Sequence, residues 1–163
     1  MPTPTTPGPD QESVWDYPRP PALEPEDRRI RVLFNEVTIA DTTGALRVLE
    51  TSHPPVYYLP PDDIATEHLE REQQTTMCEF KGRAVYYTLT VGGRSARSAA
   101  WGYPDPTARF AELQDYVTFY ASKVDACYVG EEEARAQEGD FYGGWITDDV
   151  VGPFKGGPGT MGW

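Results

Sequence analysis

Cys78 and Cys127 are the two thiols in a chain of 163 residues, and Cys78 has the more reactive surroundings. It lies in the stretch Thr76 to Tyr87, TMCEFKGRAVYY, with Lys81 and Arg83 close behind it. A cation beside a thiol enlarges the thiolate fraction, and the thiolate is the nucleophile. The spacing therefore allows covalent catalysis by Cys78, with Lys81 or Arg83 stabilising its anion. The competing role is a buried structural cysteine, because free cysteine is among the most buried residue types.

Other residues suggest binding rather than bond making. In the strand-like run Ala45 to Thr51, Leu46, Val48 and Glu50 share a face. If that face is inward, Glu50 needs a cation or donors, since an unpaired buried charge is costly. It then either pairs with an arginine or acts as a base with a raised pKa. Tyr86, Thr88 and Thr90 form one tyrosine and threonine face, and Tyr116, Thr118 and Tyr120 another. Such faces meet water or line a cavity. Arg47, Glu50, Tyr58, Trp101 and Tyr103 are the expected walls and hydrogen-bonding groups of a small-ligand site near Cys78 and Lys81.

Several chemistries lack their pattern. The two cysteines are isolated, and His53 and His68 do not follow paired ligand spacing, so no metal site is expected. Neither histidine stands beside a nucleophile motif. Gly152 to Gly159 shares only its glycines with a phosphate loop: Lys155 precedes them and no helix is expected after them. A lysine among backbone amides can still hold an anion.

These residues must be positioned by strands. Val85, Tyr87, Leu89 and Val91 alternate with Ala84, Tyr86, Thr88 and Thr90, a half-buried strand ended by Gly92-Gly93. Gly82 permits a second turn, which pairs Thr76 to Glu79 with the strand's start. Further strands are expected at 30–34, 37–40, 45–51, 56–59, 95–101, 116–122 and 126–129, separated by turn clusters. Pro60-Pro61-Asp62-Asp63 reads as a helix start, and a helix is expected over Ile64 to about Gln73, with Glu67 and Arg71 paired on it. One helical turn is expected near Arg109. The fold class is therefore mainly β, a compact antiparallel barrel or sandwich-like single domain with one or two short helices.

Residues 1–13 are Pro, Thr and Gly without periodicity and read as a disordered tail, leaving 14–163 as one domain. Trp15 and Tyr17 are expected to anchor a proline-rich strap across the core. The glycine and aromatic-rich C-terminal stretch is expected to follow a defined but irregular course. Apolar content of 39% supports a real core. The net charge of −12 disfavours nucleic acid and anionic membranes as partners. Neither a signal peptide nor a membrane span is expected, and two cysteines suit a reducing cytoplasm.

Ile39-Ala40-Asp41-Thr42 with Ala45-Leu46-Arg47, PVYYLPP at 55–61, Thr76 to Ala84, and Ala100-Trp101-Gly102-Tyr103-Pro104 together resemble the family called domain of unknown function 427. The resemblance covers about Val14 to Phe119. It implies a compact, β-rich bacterial domain, and its recurring Cys and Lys fall on Cys78 and Lys81. Many members carry Pro after the cysteine, where this chain has Glu79. A nucleotidyltransferase label attached to the family finds no Gly-Ser with paired aspartates here. The preferred expectation is a small-molecule-binding module without a cofactor. An enzyme using Cys78 and an interaction protein with aromatic straps are the alternatives.

Overall fold

The computed structural model describes residues 2–139 and 141–163. In chain order the strands are β1 (Glu12–Ser13), β2 (Ala22–Glu26), β3 (Ile30–Phe34), β4 (Val37–Thr42), β5 (Ala45–Leu49) and β6 (Val56–Tyr58). Then come β7 (Leu69–Cys78), β8 (Gly82–Val91), β9 (Arg94–Gly102), β10 (Val117–Phe119) and β11 (Ala126–Val129). The C-terminal part adds β12 (Glu132–Glu133), β13 (Arg135–Ala136), β14 (Trp145–Ile146) and β15 (Val150–Val151).

Two four-stranded sheets run in the orders β10-β9-β8-β7 and β12-β11-β3-β4. A three-stranded sheet, β2-β5-β6, meets the first of these through a bridge between Leu59 and Val117. The two residues exchange N–H···O bonds of 2.8 and 2.9 Å. Among the described residues the strands close no barrel, so the barrel expectation is replaced by several open sheets around shared cores.

Tight turns explain the ladders. Asn35 and Glu36 both have positive φ, the twist that suits a two-residue hairpin between β3 and β4. Gly92, at φ +60°, starts the turn between β8 and β9. Alternation then sorts side chains. Leu89, Ala100 and Phe119 face the main core with Ile30, Val32, Phe34 and Ile39 from the second sheet, joined by Ala99 at a register shift where Ser98 has positive φ. Ala84, Tyr86, Trp101 and Tyr103 face the other way, into a second cluster with Tyr58, Phe110 and Tyr120.

The helix expected over Ile64 to Gln73 does not form. Pro61–Asp63 and Thr66–His68 are single 3-10 turns, and Leu69–Cys78 is the long edge strand β7. Its ladder to β8 outweighs the helical preference of Glu, Arg and Gln, because every paired residue gains cross-strand contacts. Glu70, Arg71, Gln73 and Gln74 are exposed there, polar cover for a free sheet edge. Glu72 turns inward at a register shift and accepts from the Ser98 N–H at 2.7 Å and the Thr88 hydroxyl at 2.9 Å. A 3-10 segment does occupy Ala108–Leu113, around the turn expected at Arg109. Among the described residues no helix is long and apolar enough to cross a membrane.

Both chain ends pack on the domain. Glu12–Ser13, within the stretch read as a tail, pairs in parallel with Val150–Val151. Tyr17 is buried with Val14 beside Leu49 and Val150, and half-buried Trp15 packs against the same cluster, so both expected anchors hold the strap. Arg47 contacts Glu12 at 2.8 Å and donates to Glu24 at 2.6 Å, joining β1, β2 and β5. Arg28 likewise joins Glu26 at 2.8 Å to Asp149 at 2.9 Å. Burial works against the charged form of Glu26, but the Arg28 bonds win and hold its carboxyl below the usual range.

Gly102 marks the tightest approach of β9 to β10: a Cβ there would lie 2.5 Å from the Tyr116 carbonyl oxygen. Gly102→Ala is expected to lower the urea midpoint by the equivalent of about 1–3 kcal/mol, the usual cost of overpacking. Gly93→Ala, with nothing within 4 Å, is expected to change stability by less than about 0.5 kcal/mol.

Candidate functional site

The outward face of β8 and β9 is the floor of a cavity of about 420 Å³. Tyr58 from β6, Tyr86 from β8, Trp101 from β9, Tyr103 and Tyr120 form its aromatic walls. Trp101 and Tyr120 lie 4.4 Å apart between ring centroids, and Tyr58 meets Trp101 edge-on at 6.5 Å. Burial pushes the hydroxyl pKa values of Tyr58, Tyr103 and Tyr120 up, so these phenols stay neutral and can donate.

The β7–β8 hairpin supplies the polar end. Cys78 pairs with Gly82 across the ladder, which leaves Glu79, Phe80 and Lys81 as the loop. Gly82 has φ +106° and forms a β-bridge with Pro106, where an added Cβ would lie 3.3 Å from the Asp105 carbonyl oxygen. Thr107 donates from its N–H to the Lys81 carbonyl and from its hydroxyl to the Phe80 carbonyl. This clamp turns the Lys81 side chain inward. Lys81 is 8% exposed, its Nζ lies 3.6 Å from Cys78 Sγ, and Phe110 lies beneath it with the ring centre at 5.8 Å.

The remaining wall comes from the C-terminal stretch and the 50–55 loop. Gln137, Phe141, Tyr142, Gly143 and Lys155 border the cavity together with Glu50 and His53. A Cβ on Gly143 would lie 2.0 Å from the Trp101 ring, so only glycine lets the backbone cover the indole so closely. Gln137 Oε1 accepts from the Gly144 N–H at 3.0 Å, which makes Nε2 the donor end of the amide. That nitrogen meets the Lys155 carbonyl at 2.7 Å and His53 Nδ1 at 3.2 Å. His53 Nδ1 is therefore the acceptor and its proton rests on Nε2, which points at Glu50 at 3.7 Å. Burial, followed by Lys155, Arg19 and Lys81, pushes the His53 pKa down to about 4.

Of the residues expected from sequence, Cys78, Lys81, Glu50, Tyr58, Trp101 and Tyr103 meet at this cavity. Glu50 lies just past the end of β5 and pairs with Arg19 at 3.3 Å, the paired alternative. Arg47 does not join them. It lies in the separate ion-pair network beside Glu12, Glu26 and Asp149, because its side chain leaves the opposite face of β5 from Val48. Tyr86 and Tyr120 take the cavity-lining alternative, whereas Thr90 is exposed. His53, Gln137 and Tyr142 were not singled out as site residues; no local motif marks them, and only the return of the C-terminal stretch brings them here. Among the described residues no group of three or more His, Cys, Asp or Glu could hold a metal ion.

Fold and site together define a mainly β domain with an aromatic cavity floored by a Cys-Lys hairpin. The family of domain of unknown function DUF427 matches residues 22–130, and the chain belongs to that family. No curated protein matches the chain. The matched span supplies the floor and hairpin, while Gln137, Tyr142, Gly143 and Lys155 lie beyond it.

The His53 arrangement predicts a pH response. Its folded pKa is near 4 against 6.5 ordinarily, so the unfolded chain binds the extra proton between these values. The contribution of neutral His53 is complete above about pH 6.5 and is lost as pH falls toward 4, by on the order of 2–3 kcal/mol. Urea unfolding at pH 7 and pH 5 should show this loss in the native chain and a smaller one in His53→Gln.

Proposed function

We propose that the chain is a small-molecule-binding protein whose ligand occupies the cavity beside Cys78 and Lys81. The observation that carries this reading is the combination of about 420 Å³ of space with aromatic walls and a few converging polar groups. Ligand pockets have this size and this mix: apolar surface supplies affinity, and sparse donors fix orientation. Tyr58, Trp101 and Tyr103 provide the walls, Lys81 the main directed donor, and Glu50 and His53 the polar rim.

A second reading is an enzyme of transferase or hydrolase type with Cys78 as nucleophile. It is favoured by the Lys81 ammonium 3.6 Å from Sγ, since a neighbouring cation stabilises a thiolate. Cys127 offers no rival, being 1% exposed, with burial pushing its thiol pKa up.

Native mass spectrometry of the purified chain is expected to show a retained small molecule that is lost on denaturation. A bare chain with an empty cavity as purified, and no mass gained from a cell-extract metabolite fraction, would end the binding reading. Thiol alkylation tests the second. In the folded chain Cys78 is expected to react and Cys127 to react only after unfolding; a Cys78 that also waits for unfolding is no nucleophile.

A further inference from the structure

We propose that the ligand is a planar aromatic acid, with its ring against Trp101 and Tyr120 and its anionic head on Lys81. This rests on the cavity being a ligand site, and it assigns the chemical class of the occupant.

The argument begins with the ammonium. Lys81 is buried, yet among the described residues no carboxylate lies within 4 Å of it. This occurs in a chain with 26 Asp and Glu against 14 Lys and Arg, where carboxylates are abundant. A lysine ammonium has three N–H donors. One meets Cys78 Sγ, a weak acceptor, and the other two meet no acceptor among the described residues. Burying such a charge without a counter-charge is unfavourable, so the site is completed by an anion from outside.

The other charges around the cavity agree. Glu50 is already paired with Arg19, and His53 is neutral at pH 7. Glu79 lines the mouth but is exposed to water. Lys155 also lines the cavity, with its Nζ 5.4 Å from the Tyr142 ring centre and 3.4 Å from the Trp163 backbone oxygen. An anion at Lys81 is thus drawn by a second cation and meets no unpaired buried carboxylate.

The walls select the rest of the molecule. Trp101 and Tyr120, 4.4 Å apart, present flat apolar surface, and Tyr58 and Tyr103 turn hydroxyl-bearing rings toward the same space. Flat rings bury large area against such faces and gain from offset or edge-on contact. Exposed Met77 and Phe141 stand at the mouth, apolar surface that an entering ring would meet first.

The test uses 2-naphthoate and 2-naphthalenemethanol, which share a ring and differ in charge, titrated calorimetrically into the full chain after removal of any retained molecule. The acid is expected to bind at least about tenfold tighter than the alcohol. Lys81→Met, of similar length and uncharged, is expected to abolish that preference, chiefly by weakening the acid. Saturating naphthoate, but not the alcohol, is expected to suppress alkylation of Cys78, a readout that needs no variant should Lys81→Met fail to fold. Equal affinities in the native chain, a preference that survives in Lys81→Met, or unimpeded alkylation each overturns the assignment. Binding of neither probe overturns it too, while a retained molecule of another class would leave the cavity's role as a ligand site standing.

Discussion

The two-sided character of the β8–β9 hairpin is the constraint on which the remaining structure depends. A strand sends successive side chains to opposite faces, so one pair of strands must satisfy two environments at once. Leu89 and Ala100 close the main core against β3 and β4, and Ala99 joins them where a register shift and the positive φ of Ser98 break the alternation. Ala84, Tyr86 and Trp101, interleaved with them, face a space that is only partly filled. A slip of one residue would exchange these sets and destroy both surfaces. The Gly92-Gly93 turn and the close approach at Gly102 hold that register.

The space on the second side has a floor and a cover of different origin. The floor comes from the span shared with the DUF427 family, including Cys78, Lys81 and Trp101. The cover comes from the C-terminal stretch, held by the hydrogen bonds of Gln137 to Gly144, Lys155 and His53. Trp145 secures that stretch from beneath: it is fully buried and donates from its indole N–H to the Phe119 carbonyl at 2.9 Å. These few contacts decide whether the aromatic face is a covered cavity with a mouth or an open trough.

Much of the strand order was legible, because alternation and turn residues act locally. The β8–β9 hairpin, the Asn35-Glu36 turn and the approach of Cys78 to Lys81 all followed from short-range pattern. The segment after Pro61 misled for a physical reason. Its Glu, Arg and Gln residues favour helix in isolation, but β7 draws its conformation from the ladder it makes with β8. Arg47 is different: alternation along β5 already sets it on the face opposite Val48 and Glu50, so it and Glu50 could not both line one cavity. The roles of His53 and Gln137 arise from contacts 84 residues apart, beyond the reach of any window along the chain.

The divided origin of the cavity has a mechanical consequence. Any molecule lodged between floor and cover touches both, and so acts as a bolt between the family domain and the chain's last thirty or so residues. Fastening is reciprocal: whatever tightens the bolt restrains the C-terminal stretch, and whatever prises that stretch away loosens the bolt by the same free energy. Occupancy inside the domain would then be readable from outside, as the ease with which a protease trims its end.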